Sequence, residues 1–242
     1  MKNGIILAGG TGSRLLPLTN VVNKHLLGLN GKFIIDYPIN TLKQLGCTDV
    51  TVVLGGSHYA QVVGYLGDGS RYGLNFNYVY QLEPKGIAQA IYLCKQFVKN
   101  SNNFSVVLGD NIFENSLQWS KINSTAQIML AHHASLTRFG VASIDANNKI
   151  VKIEEKPKNI DLNYTNMAIS GCYLFTSEFF DYFQDIKLSF RGEYEITSIL
   201  QKYLKHDKLT HNVITGLWSD AGTHESIGYV NNYLYQKEHG TT

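Results

Sequence analysis

Between Gly4 and Lys24 the chain reads GIILAGGTGSRLLPLTNVVNK: an apolar run, glycines at 9, 10 and 12, then Arg14 and Lys24. Glycine lets a backbone approach a ligand closely and adopt positive φ, so that amides can point at phosphate oxygens. Arg14 adds a planar cationic fork and Lys24 a compact charge. The run fits neither common phosphate motif. Leu15 stands where G-x-G-x-x-G needs its third glycine, and G-x-x-x-x-G-K-[ST] does not occur. The glycines alone leave two readings, a phosphate cradle of another kind or an ordinary turn between strand and helix. The two cations favour the cradle.

Other residues of interest follow apolar runs. Asp110 sits in VVLGDNIF and Asp220 in GLWSDAGT. Carboxylate oxygens suit Mg²⁺, which takes one or two of them together with substrate phosphates. Nothing local joins the two aspartates, and each alone reads equally as a turn or N-cap residue. IEEKPK (Ile153–Lys158) is either a solvated charged turn or a lysine presented to a phosphate. Trp218, beside Asp220, could wall a cleft. The eight histidines show neither H-x-x-x-H nor H-E-x-x-H spacing, and no metal is assigned to them. His132 and His133 would face opposite sides of a strand. There is no G-x-S-x-G, so a hydrolase elbow has no support.

These residues need elements to hold them. Ile5–Leu7, Asp49–Leu54, Asn75–Gln81 and Phe104–Leu108 read as strands, and Ile34–Leu45, Tyr59–Leu66 and Ile87–Val98 as helices between them. That alternation predicts right-handed βαβ units and a largely parallel sheet. Ligands bind at the carboxyl ends of such strands. Gly9–Arg14, Gln81–Gly86 and Asp110 all follow strands, so one cleft could gather them. The second half is more mixed. Ala126–His132, Ile169–Phe175 and Leu209–Ile214 read as strands, Val141–Ile144 and Ile150–Glu154 as a hairpin, and Tyr194–Tyr203 and Thr223–Lys237 as helices. The expectation is an α/β fold in one domain of two lobes, 1–110 and 111–242.

Composition narrows the function classes. The chain has 242 residues and a net charge of +2, with no basic tract, which argues against a nucleic-acid partner. No run approaches the length of a membrane span, and Gly4–Ala8 is too short for a signal-peptide core. Three scattered cysteines without C-x-x-C predict reduced thiols and a cytoplasmic protein.

Taken together, eight segments resemble those of the sugar-1-phosphate nucleotidyltransferases, and among them the glucose-1-phosphate thymidylyltransferases. They are the Gly4–Lys24 loop, YLGDGSRYGLNFNYVYQLEPKGIAQA, VLGDNIF, RFGV, IEEKPK, SGCYLF, RGEYEIT and WSDAGTHES, in that order along nearly the whole chain. The resemblance implies a Rossmann-like sheet and an Mg²⁺-dependent displacement at the α-phosphorus of dTTP by glucose 1-phosphate. It implies that Leu7, Gly9, Gly10, Thr11, Gly12, Gln81, Gly86 and Asp110 bind the nucleotide. Arg14, Lys24, Lys156 and Asp110 become the catalytic set, and Asp110 and Asp220 the metal ligands. Asn111, Gly140, Glu155, Lys156, Ile169 and Gly171 would line the hexose site. A homo-oligomer is expected, and neither membrane nor nucleic acid as partner.

Departures from the family pattern bear on these expectations. Gly28 replaces a usual proline, which predicts a looser segment there, and Ser13 replaces threonine. Ala221 stands for a threonine beside the metal aspartate. Ile169 and Ser170 stand for valine and threonine near the sugar, so another hexose, like UTP in place of dTTP, is an alternative. The long members' further C-terminal helices are not seen after WSDAGTHES, so their second nucleotide site is not expected. A non-catalytic nucleotide-sugar sensor and a Rossmann dehydrogenase are the rival classes.

Overall fold

Ile5 and Ile6 are neighbours in sequence, both fully buried, and belong to different cores. Successive side chains of a strand face opposite ways, so the first strand must be covered on both faces. The computed structural model, which describes residues 2–98, 100–121 and 125–240, shows how. In chain order its elements are β1 (Asn3–Ala8), β2 (Gly28–Leu29), β3 (Lys32–Phe33), α1 (Asp36–Gln44), β4 (Asp49–Leu54), α2 (Tyr59–Leu66), β5 (Asn75–Tyr80), α3 (Ile87–Leu93), α4 (Lys95–Val98), β6 (Asn103–Leu108) and β7 (Asn111–Phe113). There follow β8 (Ala126–Ala131), β9 (Gly140–Ile144), β10 (Ile150–Glu155), β11 (Thr165–Thr176), α5 (Phe179–Gln184), α6 (Ile196–Lys205), β12 (Leu209–Val213), β13 (Trp218–Asp220) and α7 (His224–His239).

Nine strands form one mixed sheet in the order β10-β9-β11-β6-β1-β4-β5, with β8 joined to β11 and β12 to β8. β5, β4, β1 and β6 are parallel throughout. Residues of α3, α5 and α6 pack on the face that carries Ile5, and residues of α1 and α2 on the face that carries Ile6. This is the helix-flanked α/β sheet that the alternation predicts. The register decides the function of its edge. Leu7 is level with both Val53 and Leu108, and Leu54 with both Ala8 and Tyr80. The chain therefore leaves all four strands at one level, through Gly9, Gly55, Gln81 and Gly109. Gly55 must be glycine here, since a Cβ would lie 2.6 Å from the Gly9 carbonyl oxygen.

Several elements differ from the sequence expectation. The Ile87–Val98 helix breaks at Cys94 into α3 and α4. The predicted Tyr194 start of α6 moves to Ile196, because Tyr194 donates to Lys85 O and accepts from Ala88 N instead. Ile34 and Ile35 are likewise drawn out of α1 by bonds to Leu27 O and His25 O. β8 ends at Ala131, so His132 and His133 leave the strand; Ser135 N donates to His133 Nδ1 over 2.9 Å. Gly28 opens an antiparallel ribbon with β3, tied to α7 by Asn30 N donating to Asn231 Oδ1 at 2.8 Å. Cys47, Cys94 and Cys172 are buried and unpaired. Among the described residues no helix is long and apolar enough to cross a membrane.

Candidate active site

Two hollows open at the carboxyl edge of the parallel strands and share Ile87, Leu108, Asp110 and Glu193 as walls. The first, about 220 Å³, is lined by Leu7, Gly9, Gly10, Lys24, Gln81 and Gly86. The second, about 270 Å³, is lined by Asn111, Gly140, Glu155, Lys156, Ile169 and Gly171, with Arg14 and Asp220. The expected nucleotide and sugar residues thus fall into two adjoining groups that meet at Asp110. Thr11 and Gly12 stand outside both. Thr11 borders a small hollow with Gly56. Gly12, at φ 73°, turns the chain into the 3-10 turn Ser13–Leu15, and its carbonyl accepts from Leu15 N and Thr19 Oγ1.

Lys24 Nζ donates to Asp110 Oδ2 over 2.7 Å, with the two side chains 12% and 15% exposed. Burial alone would raise the Asp110 carboxyl. The Lys24 ammonium and its hydrogen bond outweigh burial and hold the group well below the usual carboxylate range. Asp220 arrives from the other end of the chain. β13 pairs with β7 so that Asp220 lies level with Asn111, and Ala221 N donates to Asp110 O at 2.7 Å. Burial and the negative charge of Asp110 push the Asp220 carboxyl up. Arg14 stands beside it. A Cβ on Gly222 would be 2.8 Å from Arg14 Nη2 and 3.0 Å from Asp220 Oδ2.

Asn111 fixes this corner. Its Oδ1 accepts from Trp218 Nε1 at 2.7 Å and from Gly171 N at 3.0 Å, and its Nδ2 donates to Asp110 Oδ1 at 3.0 Å. Both partners of Oδ1 are pure donors, so the amide has one orientation. Trp218 walls the second hollow as expected and meets His133 edge-on and Phe139 at a tilt.

Further along, Thr197 Oγ1 donates to Glu155 Oε2 at 3.1 Å. Arg191 bridges Glu155 at 3.1 Å and Glu195 at 2.7 Å. Burial and then the Glu195 charge raise the Glu155 carboxyl, against the pull of Arg191. Lys156 has a φ of 44° and its N–H donates to Phe139 O at 3.0 Å. A left-handed residue without glycine's freedom costs of order 1 kcal/mol and tends to mark a functional position. Gly140 and Gly171 line the second hollow, and a side chain at either would collide with Thr197 or Leu108 respectively.

The sequence reading gave no role to Arg138, Tyr173, Arg191, Glu193, Glu195 or Thr197, all of which line the second hollow. The signal was present in RGEYEIT, where charges at alternate positions precede a helix. Spacing alone could not say which hollow they would enter.

Glycine loop, paired carboxylates and a polar hollow at the ends of parallel strands define a nucleotide-handling α/β enzyme. The chain belongs to the nucleotidyl transferase family, whose sequence profile matches residues 3–237. It is similar to the glucose-1-phosphate thymidylyltransferase of Mycolicibacterium smegmatis, at 38% identity over 93% of this chain and 79% of that protein. It is 34% identical to the low-salt glycan biosynthesis nucleotidyltransferase Agl11 of Haloferax volcanii, over 98% of this chain and 68% of that one. Among solved structures, a candidate glucose-1-phosphate thymidylyltransferase of Bacillus anthracis, crystallised with sucrose, superposes with a TM-score of 0.88 at 42% identity, covering 96% of this chain and 95% of that one. A UDP-glucose pyrophosphorylase bound to UDP-glucose shares the fold, with a TM-score of 0.84 at 22% identity over 98% of this chain and 99% of that one.

Proposed function

We propose that this chain transfers the thymidylyl group of dTTP to α-D-glucose 1-phosphate, releasing pyrophosphate and dTDP-glucose. The observation that carries the reading is the meeting of two hollows at Asp110, with Lys24, Arg14 and Asp220 around the junction. The relatives' names supply the substrates.

A phosphate oxygen of the sugar phosphate forms the new bond to the α-phosphorus while the bond to the bridging oxygen breaks and pyrophosphate leaves. The nucleophile is already deprotonated near neutral pH, so no serine, cysteine or general base is required. The protein has to align the attacking and leaving oxygens and offset their charge. Gln81 and Gly86 hold the base, with Leu7 beneath it. The Gly9, Gly10, Thr11 and Gly12 backbone holds the triphosphate. Lys24 and Arg14 offset charge at the reacting phosphates, and Lys156 does so on the sugar phosphate. Asn111, Gly140, Glu155, Ile169 and Gly171 hold the hexose. Residues 1–110 then serve as the nucleotide lobe and 111–242 as the sugar-phosphate lobe, with Arg14 reaching across.

Asp110 and Asp220 would hold Mg²⁺. The donor set fits: two oxygen ligands share a partly dry wall, and burial together with the like charge of Asp110 raises the Asp220 carboxyl. A divalent cation relieves that repulsion and leaves positions for phosphate oxygens. When bound it would supply charge neutralisation at the phosphates. The buried, unpaired thiols accord with a cytoplasmic enzyme.

The test is pyrophosphate release by the purified chain with Mg²⁺, dTTP and glucose 1-phosphate, against UTP and other hexose 1-phosphates. The expected result is fastest release with dTTP and glucose 1-phosphate. Faster turnover of UTP would overturn the thymidylyl assignment. Binding of dTDP-glucose without any release would make the chain a sensor.

A further inference from the structure

Gln81 lines the first hollow, is 6% exposed, and presents an amide with one face already committed. Its Nε2 donates to Gln89 Oε1 over 2.6 Å and points at Gly86 O at 3.5 Å. The Gly86 carbonyl belongs to the backbone and cannot turn over, so two acceptors flank this nitrogen and fix the flip of the amide. Oε1 takes the other side. It lies against Gly9, where a Cβ would come within 2.5 Å of it, and it receives no hydrogen bond from any described residue. The wall of the hollow therefore offers a bare acceptor. Gln89 itself, the third residue of α3, lines neither hollow.

We propose that Gln89 is a positioning residue that selects the base, by holding the Gln81 amide so that its oxygen faces the ring. This rests on the reading above in which Gln81 meets the base. Thymine and uracil carry an N–H at N3, which the bare oxygen accepts. Cytosine carries a lone pair at N3 and would set acceptor against acceptor. A site built to hydrogen-bond one partner rejects the analogue because a buried polar group is left unpaired. To welcome cytosine, the Gln81 amide must turn over, which sets its oxygen against the Gly86 carbonyl and forces Gln89 to turn as well. The 5-methyl group and the 2′-hydroxyl that separate dTTP from UTP do not enter this choice.

The series Gln89→Met, Gln89→Glu and Gln89→Lys tests it, with kcat and KM measured for dTTP, UTP and dCTP, after each variant is matched to wild type by thermal melting. Met is close in shape and makes no bond; the kcat/KM ratio of dTTP to dCTP falls about tenfold, through KM, with kcat held. Glu is acceptor-only and keeps the wild-type ratio. Lys is donor-only, draws Gln81 Oε1 round, and lowers the ratio below that of the Met variant. A Met variant whose ratio stays within about twofold of wild type, or a Glu variant that loses as much as Met, overturns the proposal. Should the Met variant not fold, equal ratios for Glu and Lys overturn it instead. Wild-type protein that turns over no triphosphate defeats the proposed function. Wild-type protein that prefers dTTP, with a ratio indifferent to position 89, defeats only the role of Gln89.

Discussion

Asn111 and Asp220 are register partners in a three-residue antiparallel ribbon. Through that pairing Asp220 is brought against Asp110 at one wall of the second hollow, although neither residue has an acidic neighbour in sequence. Burial first, and then the like charge of Asp110, raise the Asp220 carboxyl.

Asp220→Asn keeps the shape and removes one charge. Turnover falls by roughly 10²-fold or more, measured by pyrophosphate release at saturating Mg²⁺. The sign for stability is opposite. A carboxyl raised by folding opposes the folded state once pH climbs through its folded pKa. In EDTA the variant melts no lower than wild type at pH 7, and the difference narrows as pH falls toward the ordinary aspartate range. A variant less stable than wild type at pH 7 would contradict this.

Trp218→Phe keeps the aromatic wall and deletes one N–H. Asn111 Oδ1 then has Gly171 N alone, and the amide holds Asp110 less firmly. We expect kcat to drop about tenfold, in line with the loss of one hydrogen bond, with the melting temperature within a few degrees. Asn111→Ala, which removes the bond to Asp110 Oδ1 and leaves that carboxylate to Lys24, loses more. Equal activity of Trp218→Phe and wild type would remove this role.

Glu114 clamps α7 to the ribbon. It accepts from Lys237 Nζ, from Leu217 N at 2.6 Å and from Tyr233 OH at 2.8 Å. The Lys237 bond first, then the Leu217 bond, lower its carboxyl from 4.5 to about 2. A depressed carboxyl stabilises above its unfolded pKa and loses that effect as pH falls through the folded one. Glu114→Gln therefore melts lower than wild type at pH 7, and the two curves converge between about pH 4.5 and 2. Melting series at stepped pH decide it; parallel curves would count against the clamp.

Two glycines separate stability from chemistry. A Cβ at Gly171 would meet Leu108 Cγ at 2.5 Å and Asn111 Oδ1 at 2.7 Å, both locked by packing or bonds. Gly171→Ala costs ~1–3 kcal/mol by overpacking, read from denaturant unfolding. At Gly222 the nearest atom is the free end of Arg14, which can swing away. Gly222→Ala keeps its stability and loses roughly 10- to 100-fold in kcat/KM through a displaced Arg14.

The first half of the fold was legible because β1, β4 and β6 are buried on both faces and read as apolar runs, as in DVTVVL, while β5 alternates. Their parallel register brings Gly9, Gln81 and Asp110 to one edge. The second half was less so. β7 and β13 have three residues each, too few for any periodicity, yet they deliver Asp220. FFDYFQ, which forms α5, carries aromatic residues at spacings that suit strand and helix alike. Cys94 ends α3 without a glycine or proline to announce it. Arg191 was visible as a charge, but its contacts with Glu155 and Glu195 arise from a loop whose path is set by backbone bonds between Tyr194 and the Lys85–Ala88 segment.

β11 is hydrogen-bonded to three neighbours along its twelve residues: to β9 near its start, to β8 in the middle and to β6 at its end. Mechanically this is a weld. The two halves are joined by the β11–β6 ladder within one sheet, so one cannot swing against the other without tearing it. Movement around a turnover is then expected of the loops at the sheet edge, at 9–24, 82–86 and 186–195, rather than of a hinge between the halves.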